Sequence, residues 1–328
     1  MTLQRDVRAW AVAAVVMTLG AGALAQTPAT PPIVRHVTQG RAATTIENLY
    51  VCPEKIANSR RSAVGTITAT DGTVLTVPAA TAFQTGPKAA DLYNECTKAT
   101  PRSAAEVSVD KVPVVEIDAD GEVVTGYVVA DNYFELWVSG RLVAVDAGPY
   151  TPFNSAIVRF KVKRPYTMAF KLVDWEEDLG LGTEPFQGAT FHPGDGGLIA
   201  RFSDGTVTDK TWSAQTFYIA PLASPDDVAE LPGSVHDTGK LGRTHPLKAK
   251  PACQDRCYAV HYPIPDAWAA RAFDDAGWPR AVEYTDAQVG VTNLKAYTTY
   301  PELFAGARWI WSSNLVYDNV VIARKTVR

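Results

Sequence analysis

Acidic residues and tryptophans cluster at the ends of two apolar runs of the sequence. Asp131 and Asn132 immediately precede one run, and an acidic segment that begins with Asp174 follows another. If both runs are strands of one β-sandwich, their ends can meet at a common loop rim. Carboxylates there would accept hydrogen bonds from sugar hydroxyls, and an indole would offer a flat apolar face to a pyranose ring. The residues predicted to bind such a ligand are Asp131, Asn132, Trp175, Glu176, Glu177 and Trp212.

The same residues have a structural interpretation that the sequence leaves open. Trp137, Trp175 and Trp212 can fill the core of a sandwich. The acidic segment can then be a solvated edge that blocks the addition of a further strand.

A catalytic alternative, a small polysaccharide hydrolase or lyase, uses Asp174, Glu177 and His192. His192 stands near Asp195 in a glycine-rich segment and is the best acid–base candidate, because an unperturbed histidine titrates near neutral pH. Glu176 and Glu177 are adjacent, so on one strand they would face opposite sides and could not flank one bond. The sequence has no G-x-S-x-G elbow and no H-x-x-x-H spacing, so we predict a protein without chemistry of its own.

Oxygen-bearing side chains alternate around a tight glycine turn at Gly121. Asp118, Asp120 and Glu122 are candidate ligands for Ca²⁺, which prefers several carboxylate and carbonyl oxygens on such a turn. No other cofactor is predicted. Since the segment lacks the full twelve-residue calcium loop, a solvated hairpin turn is the alternative.

The first residues have the pattern of a signal peptide. Arg5 and Arg8 precede an uncharged segment over 9–25 that ends in Ala-Leu-Ala before Gln26. We therefore predict a signal peptide over 1–25, export to the periplasm or the extracellular space, and no membrane association after cleavage. An uncleaved membrane anchor is the alternative.

The four cysteines are expected to form disulfides in such an oxidising compartment. Sequence proximity favours Cys52–Cys96 and Cys253–Cys257 among the three connectivities that four cysteines allow. A metal or redox pair is the alternative, although C-x-x-x-C lacks the usual two-residue spacing.

The composition excludes several classes of protein. The chain has 328 residues, of which 46% are hydrophobic and 20% charged, as in ordinary globular proteins and unlike disordered, collagen-like or polytopic membrane chains. A net charge of -4 provides no cationic field for nucleic acid or for an acidic membrane surface. The expected partner is a carbohydrate or another component of the cell envelope.

Short β-branched and aromatic runs, separated by turns, dominate the chain from residue 112 onward. The strands are predicted at 114–117, 123–129, 134–138, 142–145, 157–162, 167–173, 198–202, 207–211, 258–262, 308–312 and 319–325. A hairpin is predicted within 62–77 and a short helix at 88–96. Strands at this spacing without amphipathic helices between them indicate an antiparallel sandwich or barrel.

Four segments follow from this pattern. Residues 1–25 are the signal peptide, 26–45 a flexible leader, and 46–110 a small N-terminal extension. Residues 111–328 form the sandwich, with a long loop at 221–257.

Three groups of segments are similar to a known kind of module. They are YFELWVSGRLV at 133–143 with YTPF at 150–153 and TMAFKLVDW at 167–175; GGLIA at 196–200 with 204–205 and 211–212; and FDDAGWP at 273–279 with RWIW at 308–311 and IARK at 322–325. They resemble the galactose-binding-like jelly-roll modules of beta-galactosidase-type and rhamnosidase-type glycoside hydrolases. Ser139 stands where those modules usually have asparagine, and no catalytic barrel accompanies the module, so the resemblance does not carry over the hydrolase activity.

The resemblance implies an all-β, antiparallel β-sandwich (a galactose-binding-like jelly roll). The cysteine positions and the segment pattern add a small disulfide-clamped N-terminal extension to this prediction. The resemblance also implies sugar binding. We predict an exported, non-catalytic carbohydrate-binding or surface-interaction protein, with the hydrolase or lyase and a purely structural envelope protein as the alternatives.

Overall fold

Two antiparallel sheets contain most of the strands of the protein. A computed structural model describes residues 34–52, 59–148, 153–186, 188–243 and 252–328. The strands of these residues are, in chain order, β1 (His36–Gln39), β2 (Ala43–Ile46), β3 (Val64–Thr68), β4 (Val74–Val77), β5 (Ala90–Tyr93), β6 (Val115–Glu116), β7 (Glu122–Asp131), β8 (Tyr133–Val138), β9 (Arg141–Val145), β10 (Ser155–Val162), β11 (Tyr166–Val173), β12 (Thr183–Phe186), β13 (Ala189–Pro193), β14 (Gly197–Phe202), β15 (Ser213–Leu222), β16 (Ala229–Leu231), β17 (Val235–Asp237), β18 (Tyr258–His261), β19 (Val282–Tyr284), β20 (Trp309–Trp311) and β21 (Asp318–Val327).

Helices are short wherever the structure describes the chain. The α-helices are α1 (Asp286–Val289) and α2 (Lys295–Thr298). The 3-10 helices are Ala104–Glu106, Val109–Lys111, Pro225–Asp227, Gly239–Leu241, Gln254–Arg256 and Pro301–Phe304.

Each of the two main sheets has seven strands. The first has the order β1-β18-β15-β21-β11-β8-β9, and the second has the order β19-β20-β14-β7-β10-β5 with β6 also paired to β10. All of these neighbours are antiparallel except β6 and β10, which are parallel. The remaining strands form the three-stranded sheet β2-β3-β4 and the hairpins β12-β13 and β16-β17.

One hydrophobic core joins the two main sheets. Phe134 and Phe170 of the first sheet have ring centroids 5.9 Å apart, and Phe160 and Phe202 of the second lie 6.2 Å apart, all within the same buried cluster. Burial of each such side chain stabilises the fold by about 1.5–3 kcal/mol. The all-β, antiparallel sandwich that the strand pattern predicts is therefore confirmed.

The chain passes from one sheet to the other through a single residue. Strand β7 belongs to the second sheet and β8 to the first, and only Asn132 separates them. Asp131 pairs with Gly197 of β14, while Tyr133 pairs with Val173 at the end of β11. This crossing therefore places the end of β7, the residues after β11 and the residues before β14 at the same end of the sandwich.

The N-terminal part of the described chain differs from the predicted segmentation. Strand β1 pairs with β18 at the edge of the first sheet, so the predicted flexible leader over 26–45 extends too far. Residues 88–96, predicted as a helix, contain strand β5, which pairs with β10 in the second sheet. The predicted extension over 46–110 thus shares a sheet with the sandwich because it completes the edge beside β10.

Both predicted disulfides are present, and they join Cys52 to Cys96 and Cys253 to Cys257. Disulfides are typical of proteins exported to an oxidising environment. The signal peptide predicted over 1–25 lies outside the described residues. Within the described part of the chain, no helix has the length and apolar character needed to cross a membrane.

Candidate functional site

A cavity of about 870 Å³ lies at the end of the sandwich where β7 crosses to β8. Its acidic lining residues are Asp131, Asp174, Glu177, Glu184 and Asp195. Arg60, Asn132 and His192 also line it, together with apolar side chains that include Phe153 and Phe186. We call this set of residues the acid cavity.

Asn132 links the two strand ends that carry the first acids. Its backbone N–H donates to the carbonyl of Val173 at 3.0 Å, and its side-chain oxygen accepts from the backbone N–H of Trp175 at 2.6 Å. Its side-chain amide donates to Oδ1 of Asp131 at 2.6 Å. Asn132 therefore positions Asp131 and the segment containing Asp174 beside each other.

The Asp174 carboxyl is buried against the loop before β14. The residue is 4% exposed, and its backbone N–H donates to the carbonyl of Asn319 at 2.8 Å. A Cβ atom added at Gly194 would lie 2.6 Å from Oδ2 of Asp174, so only glycine leaves room for the carboxyl there. Among the described residues, no donor forms a hydrogen bond or ion pair with this carboxyl. Its oxygens are not among the fully enclosed atoms that lack a partner, so they remain accessible from the cavity.

Asp195 lies two residues before Gly197, the pairing partner of Asp131. Part of its side chain is exposed toward the cavity, whereas Asp131 is 4% exposed. A Cβ atom at Gly290, just after α1, would lie 3.8 Å from Oδ2 of Asp195. The second sheet and the α1 segment therefore bring Asp195 to the cavity from the side opposite β11.

The three aspartates of the acid cavity hold their protons more tightly than ordinary aspartates. Burial is the main cause of the raised pKa of Asp131, Asp174 and Asp195, and for Asp195 it raises the pKa to about 8. The charge of Asp195 raises the pKa of the other two further, while Arg60 lowers all three. Because Asp131 and Asp195 interact, their protons belong to the pair rather than to either residue.

The β12–β13 hairpin forms another wall of the acid cavity. Glu184 pairs with His192 in the register of the hairpin, and Arg60 forms an ion pair with Glu184. The Arg60 guanidinium lies 5.9 Å from the centroid of the Phe186 ring, which is 4.9 Å from the His192 ring. Burial and the Arg60 charge lower the pKa of His192, so its imidazole is neutral at neutral pH.

The two tryptophans predicted to stack on a sugar lie inside the protein, so that prediction is wrong. Trp175 is 1% exposed, its Nε1 donates to the carbonyl of Ala63 at 3.0 Å, and its ring packs edge-on against Tyr133. Trp212 is fully buried, and its Nε1 donates to the carbonyl of Val207 at 2.8 Å. Each indole buries its large apolar surface while its N–H keeps a partner.

Glu176 and Glu177, both predicted to bind a ligand, lie in different surroundings. Glu176 is 2% exposed, and it accepts hydrogen bonds from the Tyr218 hydroxyl at 2.9 Å and from the backbone N–H of Gly182. It does not line the cavity, so the prediction that it binds a ligand is wrong. Glu177 lines the cavity and accepts from the backbone N–H of Arg61 at 3.3 Å.

The acid cavity therefore combines residues from both sequence hypotheses. Asp131, Asn132 and Glu177 come from the predicted binding site, and Asp174 and His192 come from the catalytic alternative. Sequence reasoning missed Arg60, because nothing in its neighbourhood indicates that the N-terminal extension reaches this end of the sandwich. The sequence feature that could have identified Asp195 as a site residue is its place in the glycine-rich segment near His192.

The turn predicted to bind Ca²⁺ is occupied by lysines. Oδ2 of Asp118 accepts from the backbone N–H of Lys163 at 2.9 Å, and Asp120 forms an ion pair with Nζ of Lys163 at 2.6 Å. The carbonyl of Ala119 accepts from Nζ of Lys161 at 2.5 Å. In the described ranges, no group of three or more histidine, cysteine, aspartate or glutamate residues has an arrangement that could hold a metal ion. The structure therefore favours the solvated hairpin turn over the calcium hypothesis, which included Glu122.

Comparisons with known proteins do not assign a function to the acid cavity. No family model matches the chain, and no curated protein or solved structure shows significant similarity to it. The similarity to galactose-binding-like modules thus remains a prediction from short sequence segments, and any function must be argued from the acid cavity itself.

Proposed function

We propose that the protein is an exported, non-catalytic carbohydrate-binding protein and that the acid cavity is its ligand site. The observation that carries this proposal is the Asp174 carboxyl, which is buried, lines the cavity and has no hydrogen-bond donor among the described residues. A ligand hydroxyl would supply that donor. The ligand would be a polysaccharide or another sugar-bearing component of the cell envelope, in the periplasm or outside the cell.

Sugar hydroxyls suit this lining because each hydroxyl can both donate and accept a hydrogen bond. The raised pKa values of Asp131 and Asp195 keep a proton on the pair near neutral pH, so that the pair offers a donor as well as acceptors. Glu177, which lines the same cavity, adds further acceptor oxygens.

The cavity also offers apolar surface and sufficient volume. Phe153 and Phe186 line it and replace the buried indoles as candidate surfaces for the C–H face of a sugar ring. Its volume of about 870 Å³ lies within the range of about 300–1,000 Å³ that is usual for small-molecule sites.

The test compares glycan binding by the wild-type chain and by Asp174→Ala, first on a glycan array and then by calorimetry. The variant is expected to bind severalfold and up to about 10-fold more weakly, because a hydrogen bond to a neutral carboxyl contributes about 0.5–1.5 kcal/mol. Asp226→Ala is the matched control, since that side chain is 86% exposed and lies outside the cavity lining. Equal retention of Asp174→Ala and the wild type would remove this cavity as the binding site.

A hydrolase is the second candidate, and the Asp131–Asp195 pair is the observation that favours it. Two interacting carboxyls can provide one protonated acid and one ionised base. The acid would give its proton to the glycosidic oxygen as that C–O bond breaks, and the carboxylate would take a proton from the water that attacks the anomeric carbon. Time-dependent release of reducing ends by the wild type, absent from Asp195→Asn, would promote this candidate over simple binding.

A further inference from the structure

We infer that the sugar bound by the acid cavity carries an acetamido group, as in an N-acetylated amino sugar. This inference rests on the proposed function, because it names the class of carbohydrate that the same site would take. It follows from one wall of the cavity, which lies at the junction of α1 and α2 and consists of Val289, Gly290, Asn293 and Leu294. We call these four residues the helix wall.

The helix wall is anchored in the hydrophobic core on both sides of Asn293. Gly290 ends α1 with a φ of 76°, in the left-handed conformation that glycine adopts readily. Val291, which follows it, is fully buried, and Ala296 of α2 is 1% exposed. Both belong to the core of the sandwich, so we expect the turn that carries Asn293 to keep its place when a ligand binds.

The side-chain amide of Asn293 is available to a ligand. Asn293 is exposed and lines the cavity, and its side chain forms no hydrogen bond to any residue of the described ranges. An amide has two N–H donors and an acceptor oxygen. A ligand carbonyl at this wall would therefore meet a neutral donor that it does not have to take from another protein group.

Apolar side chains adjoin this amide. Leu294 follows Asn293 in the chain and lines the cavity, as Phe153 does, and both are half-buried and pack against the hydrophobic core. Val289 is 2% exposed and fills the space beside Gly197, where an added Cβ atom would lie 2.8 Å from its Cγ1. A ligand methyl group placed against Leu294 would leave water, whereas a hydroxyl there would lose hydrogen bonds to water without replacing them. The helix wall therefore favours a methyl group over a hydroxyl.

The carboxyl of Asp195 reaches the same wall. Its Oδ2 lies 3.8 Å from the position that a Cβ atom would occupy at Gly290, and both residues line the cavity. Asp195 has other interactions, but a carboxylate offers about four lone-pair sites and keeps acceptor capacity when it is protonated. It can therefore accept an N–H from a ligand in either state.

An acetamido group combines the partners that suit these residues. Its N–H would donate to Asp195, its carbonyl oxygen would accept from the Asn293 amide, and its methyl group would pack against Leu294. A hydroxyl at the same position has no methyl group, and a free amine has neither a methyl group nor a carbonyl. Asp174 stays available for a hydroxyl of the same sugar, as the proposed function requires.

The experiment compares three β-1,4-linked tetrasaccharides, of N-acetylglucosamine, glucosamine and glucose, as ligands of the wild-type chain. Calorimetry at pH 7 gives the three affinities. We expect the N-acetylglucosamine tetramer to bind about 10-fold or more tightly than either of the others, because a buried methyl group and one additional hydrogen bond together supply about that factor. In saturation-transfer NMR, the acetyl methyl protons should show the strongest transfer from the protein.

The outcomes separate this inference from the proposed function. An equal or higher affinity for the glucose or glucosamine tetramer would overturn the acetamido inference and leave carbohydrate binding in place. Binding on the glycan array that is confined to sugars without an acetamido group would do the same. Failure of all three tetramers and of the glycan array would overturn both.

A variant tests the amide of the helix wall. Asn293→Ala changes an exposed side chain, and it is expected to weaken binding of the N-acetylglucosamine tetramer severalfold while the affinity for the glucose tetramer stays unchanged. Thr292→Ala is the matched control, because Thr292 is the neighbouring exposed residue and lies outside the cavity lining. An unaltered preference for the N-acetylglucosamine tetramer in a folded Asn293→Ala protein would contradict the inference, and the wild-type comparison decides the question if that variant does not fold.

Discussion

The acid cavity and the turn at residues 118–122 have similar residue types and opposite surroundings. At the turn, the Asp120 side chain is 70% exposed, and its hydrogen bond to Lys163 holds the pKa of Asp120 below its usual range. In the cavity, Asp174 is 4% exposed, and burial together with the charge of Asp195 raises its pKa. Acidic composition alone therefore does not identify a binding site, because a neighbouring lysine stabilises the charged form of Asp120 at the turn, whereas burial in the cavity disfavours the charged form of Asp174.

The largest expected effect is on the pH dependence of stability. An acid with a raised pKa favours its protonated form in the folded state. It therefore lowers the stability of the folded protein at a pH above the pKa of the unfolded chain, and this loss grows as the pH rises toward the pKa of the folded state. Asp195 has a pKa of about 8, and the same sign holds for Asp131 and Asp174. The free energy of unfolding, measured in urea, should fall by on the order of 3 kcal/mol between pH 5 and pH 8.

Asp195→Asn should flatten that pH profile, and Asp120→Asn should not. Other buried acids, among them Asp146 and Asp318 with pKa values of about 7, contribute to the same fall and remain in both variants. A stability that rises from pH 5 to pH 8 would show that the cavity acids are ionised and compensated in the free protein.

A smaller effect is expected from neutralising single acids. Asp174→Asn removes a buried carboxyl that lacks a partner among the described residues, and it should raise the free energy of unfolding at pH 8 by about 1–2 kcal/mol while weakening ligand binding. Asp120→Asn, at the exposed turn, should leave the stability unchanged. Urea denaturation of both variants makes the comparison, and a destabilised Asp174→Asn would mean that its carboxylate has a stabilising partner.

The smallest expected effect is that of calcium on thermal unfolding. A ligand that binds only the folded state raises the melting temperature. Since Lys163 binds both Asp118 and Asp120, we expect millimolar Ca²⁺ to leave the melting temperature of the wild type unchanged. A clear increase that disappears in Asp118→Asn would restore the calcium hypothesis for the turn.

The sandwich could be predicted because many of its strands are short β-branched and aromatic runs that end at recognisable turns. Strand β15 was missed, since all ten of its residues are buried and it contains Pro221, so that it shows neither alternation nor a clean end. Residues 207–211 were predicted as a strand, yet the described pairing there is an isolated bridge between Val207 and Arg201. Burial alone does not explain the missed strand, since all eight residues of β11 are buried as well and residues 167–173 were predicted as a strand.

The candidate site could be predicted only where a strand end marks it. Asp131 and Glu177 adjoin predicted strands, and their sequence positions were sufficient to place them at a rim. The burial of Trp175 depends on its contact with Tyr133 and Ala63, and the approach of Arg60 depends on its pairing with Glu184. Both are long-range contacts, which residue type and spacing do not encode.

The single-residue crossing at Asn132 has a kinetic consequence. Its backbone and side chain bridge the ends of β7 and β11, and we expect these hydrogen bonds to hold Asp131 and Asp174 in place. The ligand site is then preformed and does not close around the ligand on binding. Among related ligands, differences in affinity are expected to reside in how slowly each one departs, while arrival rates stay similar.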